Sequence, residues 1–182
     1  MTARYVALLR GVNVGSARKV PMADLKHLFV DLGHDDVTTY IQSGNVVFRL
    51  ASAKPAAVIA ELEKAIAKEF NVPARVLLRT DTELEKVLSR NPFLEKGADP
   101  AKLHVTFLAD PAESKKAGAA EVPAGETDEF AVGPGRTEVY VHCPNGYGRS
   151  KLNNTFFEKK LGVAATTRNW NTVNKLLELA RG

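Results

Sequence analysis

The stretch Val37-Thr-Thr-Tyr-Ile-Gln-Ser-Gly-Asn-Val-Val-Phe-Arg-Leu50 decides the fold, because it places two strand-like runs on either side of a turn. Residues 37–42 and 45–50 are rich in β-branched and aromatic side chains, which favour strands. The dipeptide Ser43-Gly44 between them is typical of a hairpin turn. The sequence therefore predicts an antiparallel hairpin over these residues.

A strand and a helix precede this hairpin, and a helix and a strand follow it. The apolar run from Arg4 to Arg10 predicts the first strand, and apolar residues at helical spacing after Pro21 predict the first helix. Helical spacing returns from Pro55 to Phe70, and residues 75–78 predict another strand. This β-α-β-β-α-β order is that of a ferredoxin-like unit.

The second half of the chain repeats the same order of elements. The runs that predict strands are 103–109, 128–132, 137–143 and 163–167, and those that predict helices are 110–120 and 152–161. Each half ends on an added helix. The first of these helices begins near Thr80 in a capping-box pattern, and the second begins after Asn169, which we expect to be its N-cap. We therefore predict an α+β fold of two tandem ferredoxin-like (β-α-β-β-α-β) units, related by duplication and packed as one globular protein. The predicted halves are residues 1–92 and 100–182.

Composition and charge narrow the class of protein further. Hydrophobic residues make up 45% and charged residues 25% of the 182 residues, which excludes a disordered chain. The net charge of +4 is unevenly placed, because the first 20 residues hold four cations and no carboxylate. Residues 141–182 hold seven cations and two carboxylates. Basic segments of this kind favour anionic partners.

Cys143 is the only cysteine, which excludes an intrachain disulfide and a metal site built of cysteines. The adjacent His142 points to the opposite face of the predicted strand, so we expect Cys143 to be a buried apolar residue. The first apolar run is too short for a secretion signal, and none approaches the ~18 residues of a membrane span. We therefore expect a cytoplasmic protein with no membrane partner.

Residues 10–19, the first basic loop, join the first strand to the first helix and contain glycines among cations. Free N–H groups at a helix N-terminus attract anions, and glycine lets a ligand approach the backbone. The candidate ligand-binding residues of this loop are Arg10, Gly11, Asn13, Gly15, Arg18 and Lys19. The glycine spacing is not that of a P-loop. The alternative is that this loop is only a connection, in which the glycines allow the turns and the cations are solvated.

Residues 144–154, the second basic loop, also lead into a predicted helix, with Ser150 as the expected N-cap and Asn153 at the third position. The candidate ligand-binding residues of this loop are Gly148, Arg149, Ser150 and Lys151. Cations at a helix N-terminus oppose the macrodipole by roughly a few tenths of a kcal/mol, a conflict that a bound anion would remove. A capped helix with a basic first turn is the alternative.

Two further segments carry polar residues at defined places. Gln42, Ser43 and Asn45 lie at the hairpin tip and are chiefly turn residues, with a role as ligand donors as the alternative. Closer to the end of the chain, we expect Trp170 to pack in the core. Arg168, two residues earlier, joins the candidate ligand-binding residues.

These segments resemble the bacterial family catalogued as domain of unknown function 1697. The matching stretches are Leu8–Gly15, Lys19–Met22, Tyr40–Phe48, Gly148–Leu152 and Thr167–Thr172. Two departures are small: Ser16 stands where the family often has glycine, and Asn153 where threonine is common. The resemblance implies an α+β fold of two ferredoxin-like halves, and it implies no activity.

From these patterns we predict a module that binds an anionic ligand, a nucleotide or another phosphorylated molecule, through its two basic loops. One alternative is nucleic-acid binding by the basic ends, with Tyr147 as a stacking ring. A second alternative is an enzyme that acts on a phosphorylated substrate. In a third, the motifs have a structural role and hold the two halves together or form a homodimer. No sequence motif assigns a metal ligand, a catalytic residue or a cofactor.

Overall fold

A computed structural model describes residues 4–14, 19–50 and 54–182 of the chain. The chain divides into two compact units, Met1–Leu84 with Leu176–Gly182, and Glu85–Lys175. Each unit contains one four-stranded antiparallel sheet together with helices, so the fold is mixed α+β. Among the described residues, no helix is both long and apolar enough to cross a membrane.

The first unit is built on a sheet with the strand order β2-β3-β1-β4. Its elements are β1 (Arg4–Arg10), α1 (Met22–Asp31), β2 (Asp35–Tyr40), β3 (Asn45–Arg49), α2 (Pro55–Phe70), β4 (Arg75–Thr80) and the start of α3 (Asp81–Ser89). Strands β2 and β3 pair antiparallel with Tyr40 opposite Asn45, which confirms the predicted hairpin. The hydrophobic core lies on one face of this sheet, because alternate strand residues such as Leu9 and Phe48 pack with Leu62 of α2.

Local signals place the ends of these helices. The Thr80 backbone N–H donates to Oε2 of Glu83 at 2.7 Å, and the Glu83 N–H donates to Oγ1 of Thr80 at 3.1 Å, which confirms the capping box. Asn71 ends α2 in the left-handed conformation. Gly44 has a φ of +84°, and a Cβ there would lie 2.6 Å from Cγ2 of Val12, so the hairpin tip packs closely on the first basic loop.

The second unit repeats the arrangement with the strand order β6-β7-β5-β8. Its elements are the rest of α3, α4 (Pro92–Glu95), β5 (Leu103–Leu108), α5 (Ser114–Ala119), β6 (Glu129–Val132), β7 (Glu138–His142), α6 (Asn154–Leu161), β8 (Ala165–Asn169) and the start of α7 (Trp170–Arg181). Two short 3-10 turns, Pro100–Lys102 and Tyr147–Arg149, precede β5 and α6. The Asn169 side chain accepts from the Thr172 N–H at 2.8 Å, which confirms it as the cap of α7. Trp170 and Cys143 are both buried, as predicted.

The boundaries of the units fall inside helices, whereas the predicted halves were 1–92 and 100–182. One boundary follows Leu84 in α3, and the other precedes Leu176 in α7. Leu179 and Gly182 line a cavity with Arg4 of β1, so the end of α7 belongs with the first unit.

The predicted N-cap of α6 was wrong by three residues. The structure places Asn153 at the N-cap, where its Oδ1 accepts from the Phe156 N–H at 3.0 Å. Oγ of Ser150 accepts from the Leu152 N–H at 3.0 Å and so shapes the turn before the helix. Arg149 and Lys151 therefore lie before the helix rather than in its first turn. The expected conflict between these cations and the helix macrodipole is correspondingly weaker, because that effect falls off within one turn.

A candidate ligand cavity at the second basic loop

A cavity of about 330 Å³ lies in the second unit beside the second basic loop. Its lining residues are Gly125, Glu126, Thr127, Asp128, Asn145, Gly146 and Arg149. They come from two segments, one that enters β6 and one that leaves β7. Because β6 and β7 are antiparallel, with Glu129 opposite His142, the start of one strand lies beside the end of the other.

Hydrogen bonds and turns hold these two segments in place. Nδ2 of Asn145 donates to Oγ1 of Thr127 at 3.1 Å and joins one segment to the other. Gly146 has a φ of +95° and turns the chain into the 3-10 turn that ends at Arg149. A Cβ on Gly146 would have no atom within 4 Å, so the backbone there is open to a ligand.

The cavity brings charged groups of both signs together. The Asp128 residue is 5% exposed, and no oxygen of its carboxylate is among the buried side-chain atoms of the described residues that lack a hydrogen-bond partner. Arg149 is exposed, and across residues 4–14, 19–50 and 54–182 its guanidinium has no hydrogen-bond or ion-pair partner. The Glu126 carboxylate pairs with Nζ of Lys151 at 3.4 Å. One guanidinium on this cavity is therefore available to another molecule.

An aromatic stack anchors the second basic loop on its sheet. The Tyr147 ring lies on the His104 ring of β5, with 4.6 Å between ring centroids and 23° between planes. Burial lowers the pKa of His104 to about 4, against the smaller opposing effect of a hydrogen bond with the Lys102 backbone. His104 is therefore neutral near pH 7, and in the described part of the chain its buried Nδ1 has no hydrogen-bond partner.

The single thiol lies in the hydrophobic core near this loop. Cys143 is fully buried, and burial raises its pKa, although a hydrogen bond with Ser150 acts in the opposite direction. The thiol is therefore protonated near pH 7. It lacks the thiolate character of a nucleophilic cysteine.

Arg168 lies outside the lining of this cavity. Its residue is 5% exposed, and its Nη1 donates to Oγ1 of Thr166 at 2.7 Å and to the Thr167 carbonyl at 3.0 Å. Burial lowers the pKa of Arg168 to about 10, so the guanidinium is still charged near pH 7. This predicted site residue is therefore buried, and two residues of its own strand accept hydrogen bonds from its guanidinium.

In the first basic loop, the best-defined predicted residue has a structural role. Nδ2 of Asn13 donates to the Val20 carbonyl at 3.0 Å and to the Gln42 carbonyl at 2.8 Å. Its Oδ1 accepts from the Val20 N–H at 2.7 Å. Both amide hydrogens of Asn13 are thus used to close the loop on itself and on the hairpin tip.

The other predicted residues of this loop divide into two sets. Gly15 and Arg18 lie outside the described residues. Gly11 has a φ of +90° and open space around the position of a Cβ, Arg10 is half-buried at the end of β1, and Lys19 is exposed. At the hairpin tip, Nδ2 of the buried Asn45 donates to the Tyr40 carbonyl and to Oγ of Ser43, which accounts for it as a turn residue.

Six lining residues of the cavity were not among the candidates from the sequence: Gly125, Glu126, Thr127, Asp128, Asn145 and Gly146. Of the candidates from the second basic loop, Arg149 lines the cavity, Lys151 pairs with Glu126, and Gly148 has open space around the position of a Cβ. The segment 125–128 sits in the acidic middle of the chain and contains no recognisable motif. Its only sequence signal was its place at the start of a predicted strand, residues 128–132, that pairs with the strand leading into the loop.

Comparison with known proteins extends these observations. The family described as "Protein of unknown function (DUF1697)" matches residues 1–140, a range that ends before the second basic loop. The solved structure of the conserved bacterial protein SP0830 from Streptococcus pneumoniae is similar over 99% of both chains, with a TM-score of 0.75 and 22% identity. At this identity the likeness concerns the fold alone. No curated protein matches the sequence.

Proposed function

The chain belongs to the DUF1697 family of proteins of unknown function, and we propose that it is a binding module for a small molecule that carries an anionic group. The second basic loop forms the site. The observation that carries this proposal is Arg149, a guanidinium on the wall of a cavity with no hydrogen-bond or ion-pair partner among the described residues. Arginine binds carboxylate and phosphate oxygens in pairs, and such charge-assisted hydrogen bonds are the strong ones.

The size and charge of the cavity favour a small ligand over a polyanion. A volume of about 330 Å³ falls at the lower end of the range of small-molecule sites. The carboxylates of Asp128 and Glu126 on the same wall would repel the phosphates of a nucleic acid. The charge of Lys151 is already engaged by Glu126. Nucleic-acid binding at this loop is therefore the weaker hypothesis.

Binding without catalysis is the simpler hypothesis for this site. The two nearby groups that resemble a nucleophile and a base are Cys143 and His104. Burial keeps the thiol protonated, and it holds the pKa of His104 at about 4, too low for a base that works near pH 7. Neither residue is part of the cavity lining.

The proposal extends to the architecture and the compartment. Both units have the element order β-α-β-β-α-β, equivalent strand orders and an added helix, and this is the basis for regarding each as ferredoxin-like and the pair as a duplication. The single cysteine supports a reducing, cytoplasmic environment.

Amide chemical shifts in an NMR titration with acetate and with inorganic phosphate test the proposed site. We expect saturable shifts at Gly125 and Gly146, and a loss of affinity of tenfold or more in Arg149→Ala, since a hydrogen bond to a charged group contributes about 1.5–3 kcal/mol. Arg90→Ala is the matched control, because Arg90 is exposed and lies outside the cavity lining. Equal affinities of Arg149→Ala and wild type, or no shift at either glycine, would contradict the proposal.

A further inference from the structure

Building on the proposed function, we infer that Glu126 and Asp128 select the ligand by its charge, so that the cavity at the second basic loop takes a monoanionic carboxylate in preference to a phosphate dianion. This inference rests on the proposed function, which requires only that an anionic group binds Arg149. It names the chemical class of that group and assigns a role in specificity to two residues of the cavity wall.

The charges of the lining residues are the first reason. Arg149 supplies one positive charge, and Glu126 and Asp128 supply one carboxylate each. One guanidinium offsets one negative charge of a ligand, so the second charge of a dianion would be left uncompensated beside two carboxylates. The cost of removing an ion from water also rises with the square of its charge. A monoanion therefore fits this lining better than a dianion does.

The neighbouring lysine does not supply a second cation for a dianion. Nζ of Lys151 lies 3.4 Å from Oε1 of Glu126, so its charge is already engaged. The Lys151 side chain is 64% exposed, whereas that of Glu126 is 17% exposed. Water and salt screen an exposed charge more than a sheltered one, so the lysine offsets the Glu126 carboxylate only in part.

The buried thiol of Cys143, at the start of the same loop, responds to these two carboxylates. Burial is the main cause of its raised pKa, and a hydrogen bond with Ser150 acts against it. Asp128 and Glu126 raise this pKa further, because their charges destabilise the thiolate. The same two carboxylates line the cavity, where they would destabilise excess negative charge on a ligand.

The chemistry of the two kinds of anion decides between them. A phosphate monoester carries about 1.5–2 negative charges at pH 7, whereas a carboxylate carries one. The two oxygens of a carboxylate also match the paired N–H donors of a guanidinium such as that of Arg149. A small carboxylate is therefore the ligand class that the charge of this lining favours.

Three probes test this inference on the unmodified chain at about pH 7.5, where a phosphate monoester is mainly a dianion. Acetate and dimethyl phosphate are monoanions, and methyl phosphate is the dianion that matches dimethyl phosphate in chemistry. Their dissociation constants are taken from the amide shifts of Gly125 and Gly146. We expect both monoanions to bind about tenfold more tightly than methyl phosphate. Methyl phosphate that binds as tightly as the monoanions, or more tightly, would overturn the inference.

The Asp128→Asn and Glu126→Gln variants provide a second test, because each removes one charge and keeps the shape of the side chain. Either variant should strengthen methyl phosphate more than acetate and so reduce the preference for monoanions. A merely structural role of these residues would weaken all three probes alike, which would contradict the inference. Glu129→Gln is the matched control, because Glu129 is exposed and lies outside the cavity lining, and it should leave the preference unchanged.

The outcomes separate the inference from the proposed function. If all probes bind through Arg149 with equal affinity, the proposed function stands and the selection by charge is excluded. If no probe binds and Arg149→Ala changes nothing, both are wrong. If the monoanions bind more tightly and this preference falls in Asp128→Asn or Glu126→Gln, both are supported.

Discussion

The two basic loops have similar compositions but use their polar groups in different ways. In the first loop, the Asn13 side-chain amide forms hydrogen bonds with the Val20 backbone and the Gln42 carbonyl, which connect the loop to itself and to the hairpin tip. In the second, Arg149 lines a cavity and has no hydrogen-bond or ion-pair partner among the described residues. The difference teaches that a polar side chain in a loop of this composition can serve the backbone of the loop itself or stay available to another molecule, according to whether the protein supplies its partners.

The two loops are also anchored by interactions of different kinds. The first is held by hydrogen bonds of an amide that does not titrate, and the second by the stack of Tyr147 on His104. The anchor of the second loop should therefore weaken in acid, while that of the first should not. Changes of pH and of single side chains can separate them.

The largest expected effect is the acid sensitivity of the second unit. The pKa of His104 is depressed to about 4 in the folded state and is near 6.5 when unfolded, so the unfolded chain binds the proton more readily. The contribution of neutral His104 to the free energy of unfolding is thus complete above about pH 6.5. It is lost as the pH falls towards 4, which lowers the free energy of unfolding by up to about 3 kcal/mol.

Chemical denaturation between pH 7 and pH 4, followed at the amide resonances of the second unit, measures this loss. His104→Phe keeps an aromatic ring against Tyr147 without a titrating group, and it should flatten the pH dependence over this range. An unchanged pH dependence in His104→Phe would show that another group is responsible.

A smaller effect is expected from the amide that closes the first loop. Asn13→Ala should lower the free energy of unfolding by about 2 kcal/mol, because it leaves two backbone carbonyls and one N–H without their partner. Asn145→Ala in the second loop removes one exposed side-chain hydrogen bond and should cost less than about 1 kcal/mol. Urea denaturation compares the two variants, and equal losses would remove the distinction between the loops.

Much of the scaffold was predictable because local signals are short-range. The alternation in residues 37–50 predicted the hairpin, and Thr80 with Glu83 predicted a capping box that the structure contains. The N-cap of α6 was missed because Ser150 and Asn153 are both good caps at the right spacing. The 3-10 turn at Tyr147–Arg149 decides between them, and the sequence carries no strong signal for it.

The cavity itself was only partly predictable. Arg149 stood out in a glycine-containing loop, but Asp128 lies 21 positions earlier in the chain. The two come together because β6 and β7 pair in one particular register, with Glu129 opposite His142. Registers of this kind depend on the packing of a whole sheet, which a single sequence does not display.

The measurement that tests the central claim most directly is the affinity of Arg149→Ala for acetate, read from the amide shifts of Gly125 and Gly146. If the guanidinium on the cavity wall binds the anionic group, the dissociation constant should rise tenfold or more, because a hydrogen bond to a charged group contributes about 1.5–3 kcal/mol. An affinity equal to that of the wild type would contradict the account.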